Sequence, residues 1–232
     1  MGDVNLGALT YQASRQSGGS MPTQNIFVNA PNREAFKFSL TAGQIDMASE
    51  EVVRGLPTIS RVDPPLSAGQ KHTIVVNLAD ERVVAQFGKL DAHNIRILGE
   101  NAASFFKKAP QKGDVESMYK PILRPMTEQY PASLRAKLVF DNADDRRNTH
   151  IFVADGYATM DSPLTHRVGT MEDLEPGASV LMIVQCGVMW TRDRECGMSF
   201  NATEIFVWKD ASAAAKGLAA FSWVGGTPKA AA

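Results

Sequence analysis

MYKPILRPMTEQYPASLRAKLVF, residues 118–140, is the stretch on which the reading of this chain turns. Its second half alternates. Leu134, Ala136 and Leu138 fall on one side of an extended chain and Arg135, Lys137 and Val139 on the other, the period of a half-buried strand. Its first half is barred from helix: Pro121, Pro125 and Pro131 lack the amide proton, and each pushes the preceding residue toward extended backbone. The segment opens on Tyr119-Lys120-Pro121, gives cation–proline again as Arg124-Pro125, and aromatic–proline again as Tyr130-Pro131. Lys120, Arg124, Arg135 and Lys137 stand against one acid, Glu128, in a chain whose net charge is −1. Extended backbone with cations between rings suits one strand of nucleic acid, with phosphates on the cations and bases on the rings. Each such stack is worth roughly 1–3 kcal/mol. A solvated connection whose tyrosines cap the edge of a core has the same composition, so the rest of the chain must weigh in.

At 232 residues the chain can bury a substantial core, and 44% apolar with 21% charged residues is the balance of a folded protein. No apolar run approaches the roughly 20 residues of a membrane span, and the N-terminus lacks the charged-then-apolar pattern of a secretion signal. Cys186 and Cys196 are the only cysteines, too few for a disulfide framework and suited to a reducing intracellular setting. With charge nearly balanced, any nucleic-acid site is a local patch rather than a property of the whole surface.

Three regions are expected: a flexible arm over 1–24, a folded domain over 25–210, and an Ala/Gly-rich tail over 211–232. Within the domain, 26–28 and 35–40 read as strands, the second alternating Phe36, Phe38 and Leu40 with polar residues. A short helix over 43–53 leads to a loop through Asp63-Pro64-Pro65. HTIVVNL at 72–78 is a strand, and a turn at 79–82 makes 83–87 its hairpin partner. The principal helix is expected over 91–108, capped by Asp91, with Ile95, Leu98, Ala102, Phe105 and Phe106 as its apolar stripe and Lys107-Lys108 at its end. A strand at 149–154 carries His150, which has no metal-spaced partner. The loop at 155–176 holds Glu172, Asp173 and Glu175, read as solvated and unpaired. Residues 178–188 and 198–208 form a long hairpin with Trp190 near its end and Arg192 and Arg194 at its tip. That is a second cluster of ring and cation, with Trp190 as mere core filler the alternative.

Seven or eight strands, several hairpins and one principal helix make a mainly β chain. The order fits a Greek-key barrel of the oligonucleotide-binding type with extra strands. The run YKPILRP followed by YPASLRAKL, and then the hairpin VLMIVQCGVMWTRDRECGMSFNATEIFVW, resembles the single-stranded DNA-binding proteins of the phage T-seven type. It is more similar still to their relatives in nucleocytoplasmic large DNA viruses. The resemblance covers residues 119–208, and 25–108 more loosely. It implies an oligonucleotide-binding barrel without catalytic activity or cofactor, serving DNA replication, recombination or repair in the cytoplasm or nucleus of an infected cell. It further implies Tyr119, Lys120, Arg124 and Tyr130 as contacts to the strand, with Arg135, Lys137 and Trp190 joining them. Arg192 is added by its place in the ring-and-cation cluster. One departure stands out: the phage proteins end in an acidic tail that recruits replication proteins, whereas no acid follows Asp210 here. The island of Phe221 and Trp223 is then the candidate contact for such proteins or for a second subunit. A non-enzymatic structural or virion-assembly protein, β-rich like a jelly roll, is the other class open. An enzyme is disfavoured by the lack of a phosphate loop, nucleophile elbow, HExxH or paired cysteine ligands, and neither metal nor membrane is expected as a partner.

Overall fold

The longest strands sit at the end of the domain and organise everything before them. In the computed structural model, which describes residues 6–13, 24–30, 36–40, 50–106, 108–111, 113–157, 164–192 and 194–209, β11 (Ser179–Thr191) and β12 (Cys196–Trp208) form the expected antiparallel hairpin. Numbered in chain order, the other strands are β1 (Thr10–Ala13), β2 (Gln24–Asn29), β3 (Lys37–Ser39), β4 (Thr58–Asp63), β5 (Thr73–Asn77), β6 (Tyr119–Lys120), β7 (Leu123–Arg124), β8 (Ser133–Lys137), β9 (His150–Ala154) and β10 (His166–Val168). The fold is mainly β, and the twelve strands found among the described residues belong to one mixed sheet.

Five of them pair in a ring. β4 pairs with β5, β5 with β8, and β8 runs parallel to β12; β12 pairs with β11, and β11 returns to β4 at Ser179 and Thr58. Ile59 N–H donating to Ala178 O at 2.9 Å and Val180 N–H to Pro57 O at 2.8 Å complete that closure. The long hairpin serves both ring and flanks because register shifts at Ile183/Val184 and Cys186/Val188 bend it, as β-bulges do. β2 and β3 add to β11, with β1 outside β2, while β9 and then β10 extend the sheet beyond β12. Leu134, Ala136 and Leu138 are buried, Arg135 and Lys137 are exposed, and the alternation read from residues 134–138 holds.

The principal helix, α2, spans Glu81–Glu100 rather than 91–108. Its N-cap is Asp80, whose carboxylate accepts from Arg82 N–H at 2.9 Å, so residues 83–87 are helical and not a hairpin strand. Val83, Phe87, Leu90, Asn94 and Leu98 form its buried stripe, and Phe87 meets Phe200 of β12 edge to face at 5.9 Å. Asp91, expected as the cap, therefore lies mid-helix. Shorter helices are α1 (Glu50–Arg54), α3 (Ala102–Phe105) and α4 (Asp114–Met118).

Three further expectations change. Residues 58–63, read as loop, are β4, a ring strand in which Ile59 is buried. Part of the N-terminal arm is β1, paired with β2 from Thr10↔Asn29 to Ala13↔Ile26. The loop at 155–176 contains β10, and its acids are not all solvated. Asp173 is buried between Arg167 at 2.8 Å and Lys209 at 2.9 Å, and also accepts from Thr170 N–H at 2.8 Å. Those donors hold its carboxyl well below the usual range. The tail with Phe221 and Trp223 lies outside the described residues.

Candidate functional site

The chain after α4 bridges two strands that diverge. β8 and β12 are partners at Ala136↔Phe200 and Lys137↔Asn201, but not at the residues preceding these. There, β6 lies alongside β12 (Cys196↔Tyr119, Gly197↔Lys120), and β7 alongside β8 (Leu123↔Leu134, Arg124↔Ser133). Residues 119–124 thus cross from one ring strand to the other. Pro121, which can donate to neither, sits between the two pairings. The crossing leaves a cleft of about 440 Å³ whose lining includes Lys120, Arg124, Arg135 and Lys137 and no acidic residue. Four cations singled out from the sequence are therefore brought together on one opening.

Their electrostatic states differ. Lys120 Nζ lies 3.2 Å from Glu195, and Arg135 lies 3.0 Å from Asp63, which Arg61 also meets at 2.8 Å. These are exposed pairs, each worth under about 1 kcal/mol and open to exchange for another anion. Arg124 and Lys137 form no ion pair among the described residues, and both are exposed. The cleft keeps a surplus of positive charge.

The wall carrying Lys120 is fixed from behind. Tyr119 Oη donates to Asp91 Oδ1 at 2.8 Å and accepts from Asn94 Nδ2 at 3.0 Å. Asp91 also accepts the Ile122 N–H, 3.2 Å from each carboxylate oxygen, and Asn94 Oδ1 accepts from Tyr11 Oη of β1 at 3.1 Å. Burial pushes the Asp91 carboxyl above its usual range and the Tyr119 hydroxyl far above its own, so Tyr119 stays a neutral donor. From the sequence Asp91 was expected only as a helix cap, and Asn94 was not singled out. The signal available was Asn94 itself, a polar residue in register with the apolar stripe of α2.

That arrangement corrects one site expectation. Tyr119 is 6% exposed, and its ring is core rather than a platform for a base. The reason is that α2 supplies two partners for its hydroxyl, which removes the usual penalty for burying a tyrosine. Tyr130 is 59% exposed, in a turn closed by Thr127 N–H donating to Tyr130 O at 2.8 Å. Trp190 is half-buried, and the exposed Arg192 guanidinium lies over its ring, 5.3 Å from the centroid. Gly197 lets the indole in: a Cβ there would stand 3.0 Å from Trp190 Cζ2 and 3.3 Å from Lys120 O. The ring-and-cation pair of the hairpin thus adjoins the backbone of the cleft wall.

Among the described residues, no cluster of His, Cys, Asp or Glu is arranged to hold a metal, and His150 Nε2 lies 3.2 Å from Asp145 O. Burial raises both thiols, Cys186 to about 12 and Cys196 to about 11, which leaves them unreactive. Among the described residues, no helix is long and apolar enough to cross a membrane. No protein-family model matches the chain, and no curated protein matches its sequence.

Proposed function

We propose that this chain is a non-enzymatic protein that binds single-stranded DNA with little regard to sequence. One observation carries the reading: Lys120, Arg124, Arg135 and Lys137 line a single cleft that has no acidic residue in its wall. Cations so grouped on a chain of net charge −1 make a local phosphate track, and Tyr130 and the Trp190–Arg192 pair are the rings within the same set of elements. The ring topology supports the same reading. Its first three strands meander and its fifth returns parallel to the third, as suits an oligonucleotide-binding Greek-key barrel. Among the described residues no recognition helix or other base-reading device accompanies the cleft, so affinity rests on phosphate and stacking. The resemblance of residues 119–208 to single-stranded DNA-binding proteins of phage and large DNA viruses points the same way, to a role in replication, recombination or repair.

Fluorescence anisotropy of labelled oligo-dT against a duplex of equal length tests this. The single strand should bind more tightly, and mixed-sequence single strands about as well as oligo-dT. Equal affinity for the duplex removes the reading.

A further inference from the structure

The cleft holds more than a phosphate track needs. We propose that it is a nucleotide pocket, in which one nucleobase seats between residues 121–123 and the Met198–Phe200 segment while its phosphate lies on the cationic rim. The inference rests on the nucleic-acid reading of the cleft and goes past it, from a surface that follows a backbone to an opening that takes in a base. Its size fits: about 440 Å³ lies within the roughly 300–1,000 Å³ of small-molecule pockets. Its lining is divided. The exposed Pro121 and Pro125, with the edges of Ile122, Leu123 and Met198, supply apolar surface over a floor closed by the buried Ala136 and Phe200, and the four cations stand with them. A bare polyanion has no use for the apolar half, and an apolar ligand none for the cations. A nucleotide has a flat, weakly hydrated ring joined to an anion and uses both.

The wall is also set in advance. The Ile122 N–H is committed to Asp91, and Tyr119 is anchored to Asp91 and Asn94, so residues 119–122 keep their place without a ligand. A pocket with a fixed wall loses little ordering entropy when it is filled.

The test uses the full chain with three probes: dTMP, deoxyribose 5-phosphate and inorganic phosphate, titrated by calorimetry and followed by methyl NMR. The expected result is that dTMP binds about tenfold or more tightly than deoxyribose 5-phosphate. It should also shift the methyl signals of Ile122, Leu123 and Met198. Arg124→Gln should weaken both sugar phosphates alike and leave their ratio unchanged. Equal affinity for dTMP and the base-free sugar phosphate, or unmoved methyls, overturns the pocket even if oligo-dT binds well. Competition then identifies the source of the nucleotide. If dTMP displaces oligo-dT, the base comes from a strand. If dTMP fills the pocket and oligo-dT does not bind, the pocket stands as a free-nucleotide site and the strand-binding reading falls.

Discussion

Tyr119 and Tyr130 stand at opposite ends of one proline-rich segment, each beside a cation or a proline, and they meet opposite fates. Tyr119 is buried with both hydrogen-bonding roles of its hydroxyl filled by α2, whereas Tyr130 is exposed on a turn and its hydroxyl has no partner among the described residues. Local sequence does not separate them. What separates them is the element opposite: α2 presents Asp91 and Asn94 to one hydroxyl, and no described residue offers a hydrogen-bond partner to the other. The segment therefore has a structural end that fixes the cleft wall and a free end available to a ligand.

The largest effect should come from the structural end. Tyr119→Ala removes a buried ring and leaves Asp91 and Asn94 short of a partner, so urea unfolding should show a loss of about 3–5 kcal/mol. Tyr119→Phe, which keeps the ring, should lose about 1–3 kcal/mol. A Tyr119→Ala protein as stable as the parent would break the comparison at its first term.

The same contrast extends to two carboxylates. Burial raises Asp91, so the folded state holds that proton more tightly than the unfolded chain. Its contribution is present below the unfolded value of about 3.9 and is lost as pH rises through the folded value. Asp173 is depressed by its donors, so its contribution is present above that unfolded value and is lost as pH falls toward the folded one. Asp173→Asn should therefore destabilise by about 1.5–3 kcal/mol at neutral pH, with the gap to the parent closing in acid below about pH 4. Asp91→Asn keeps an acceptor for Tyr119, and its stability relative to the parent should improve as pH rises. Thermal unfolding across a pH series checks both signs.

How far this was legible follows from the same residues. Leu134, Ala136 and Leu138 gave β8 because a period of two needs only neighbours, and the long hairpin was visible for the same reason. The start of α2 was misread because residues 83–87 pass for a strand unless Asp80 is seen as a cap, and Gly88 interrupts the stripe. β4 was hidden between Pro57 and Pro64, and it is a strand because β5 and β11 offer it edges. At the site, the four cations were legible as a group. The tie from Asp91 to Tyr119 was not, since it joins residues 28 apart on elements whose packing no local pattern records.

At the free end the expected effects are smaller and act on binding. Tyr130→Ala should leave stability within about 0.5 kcal/mol of the parent. It should lower affinity for oligo-dT by roughly 1–3 kcal/mol, about five- to hundredfold, without altering the salt dependence. Smaller again, Glu195→Gln releases Lys120 from its pair and should raise affinity by about 0.2–1 kcal/mol in low salt. A fall in affinity would show instead that Glu195 positions Lys120 for its ligand.

The most direct measurement is the salt dependence of oligo-dT binding for the parent and for an Arg124→Gln, Lys137→Gln double variant. If the cleft is a phosphate track, log K should fall with log salt at a slope of about −2 to −4 in the parent, flattening by about 1.4 in the variant. Both proteins should unfold at nearly the same urea concentration, since the two side chains are exposed. A salt-independent isotherm, or one slope for both proteins, would contradict the account.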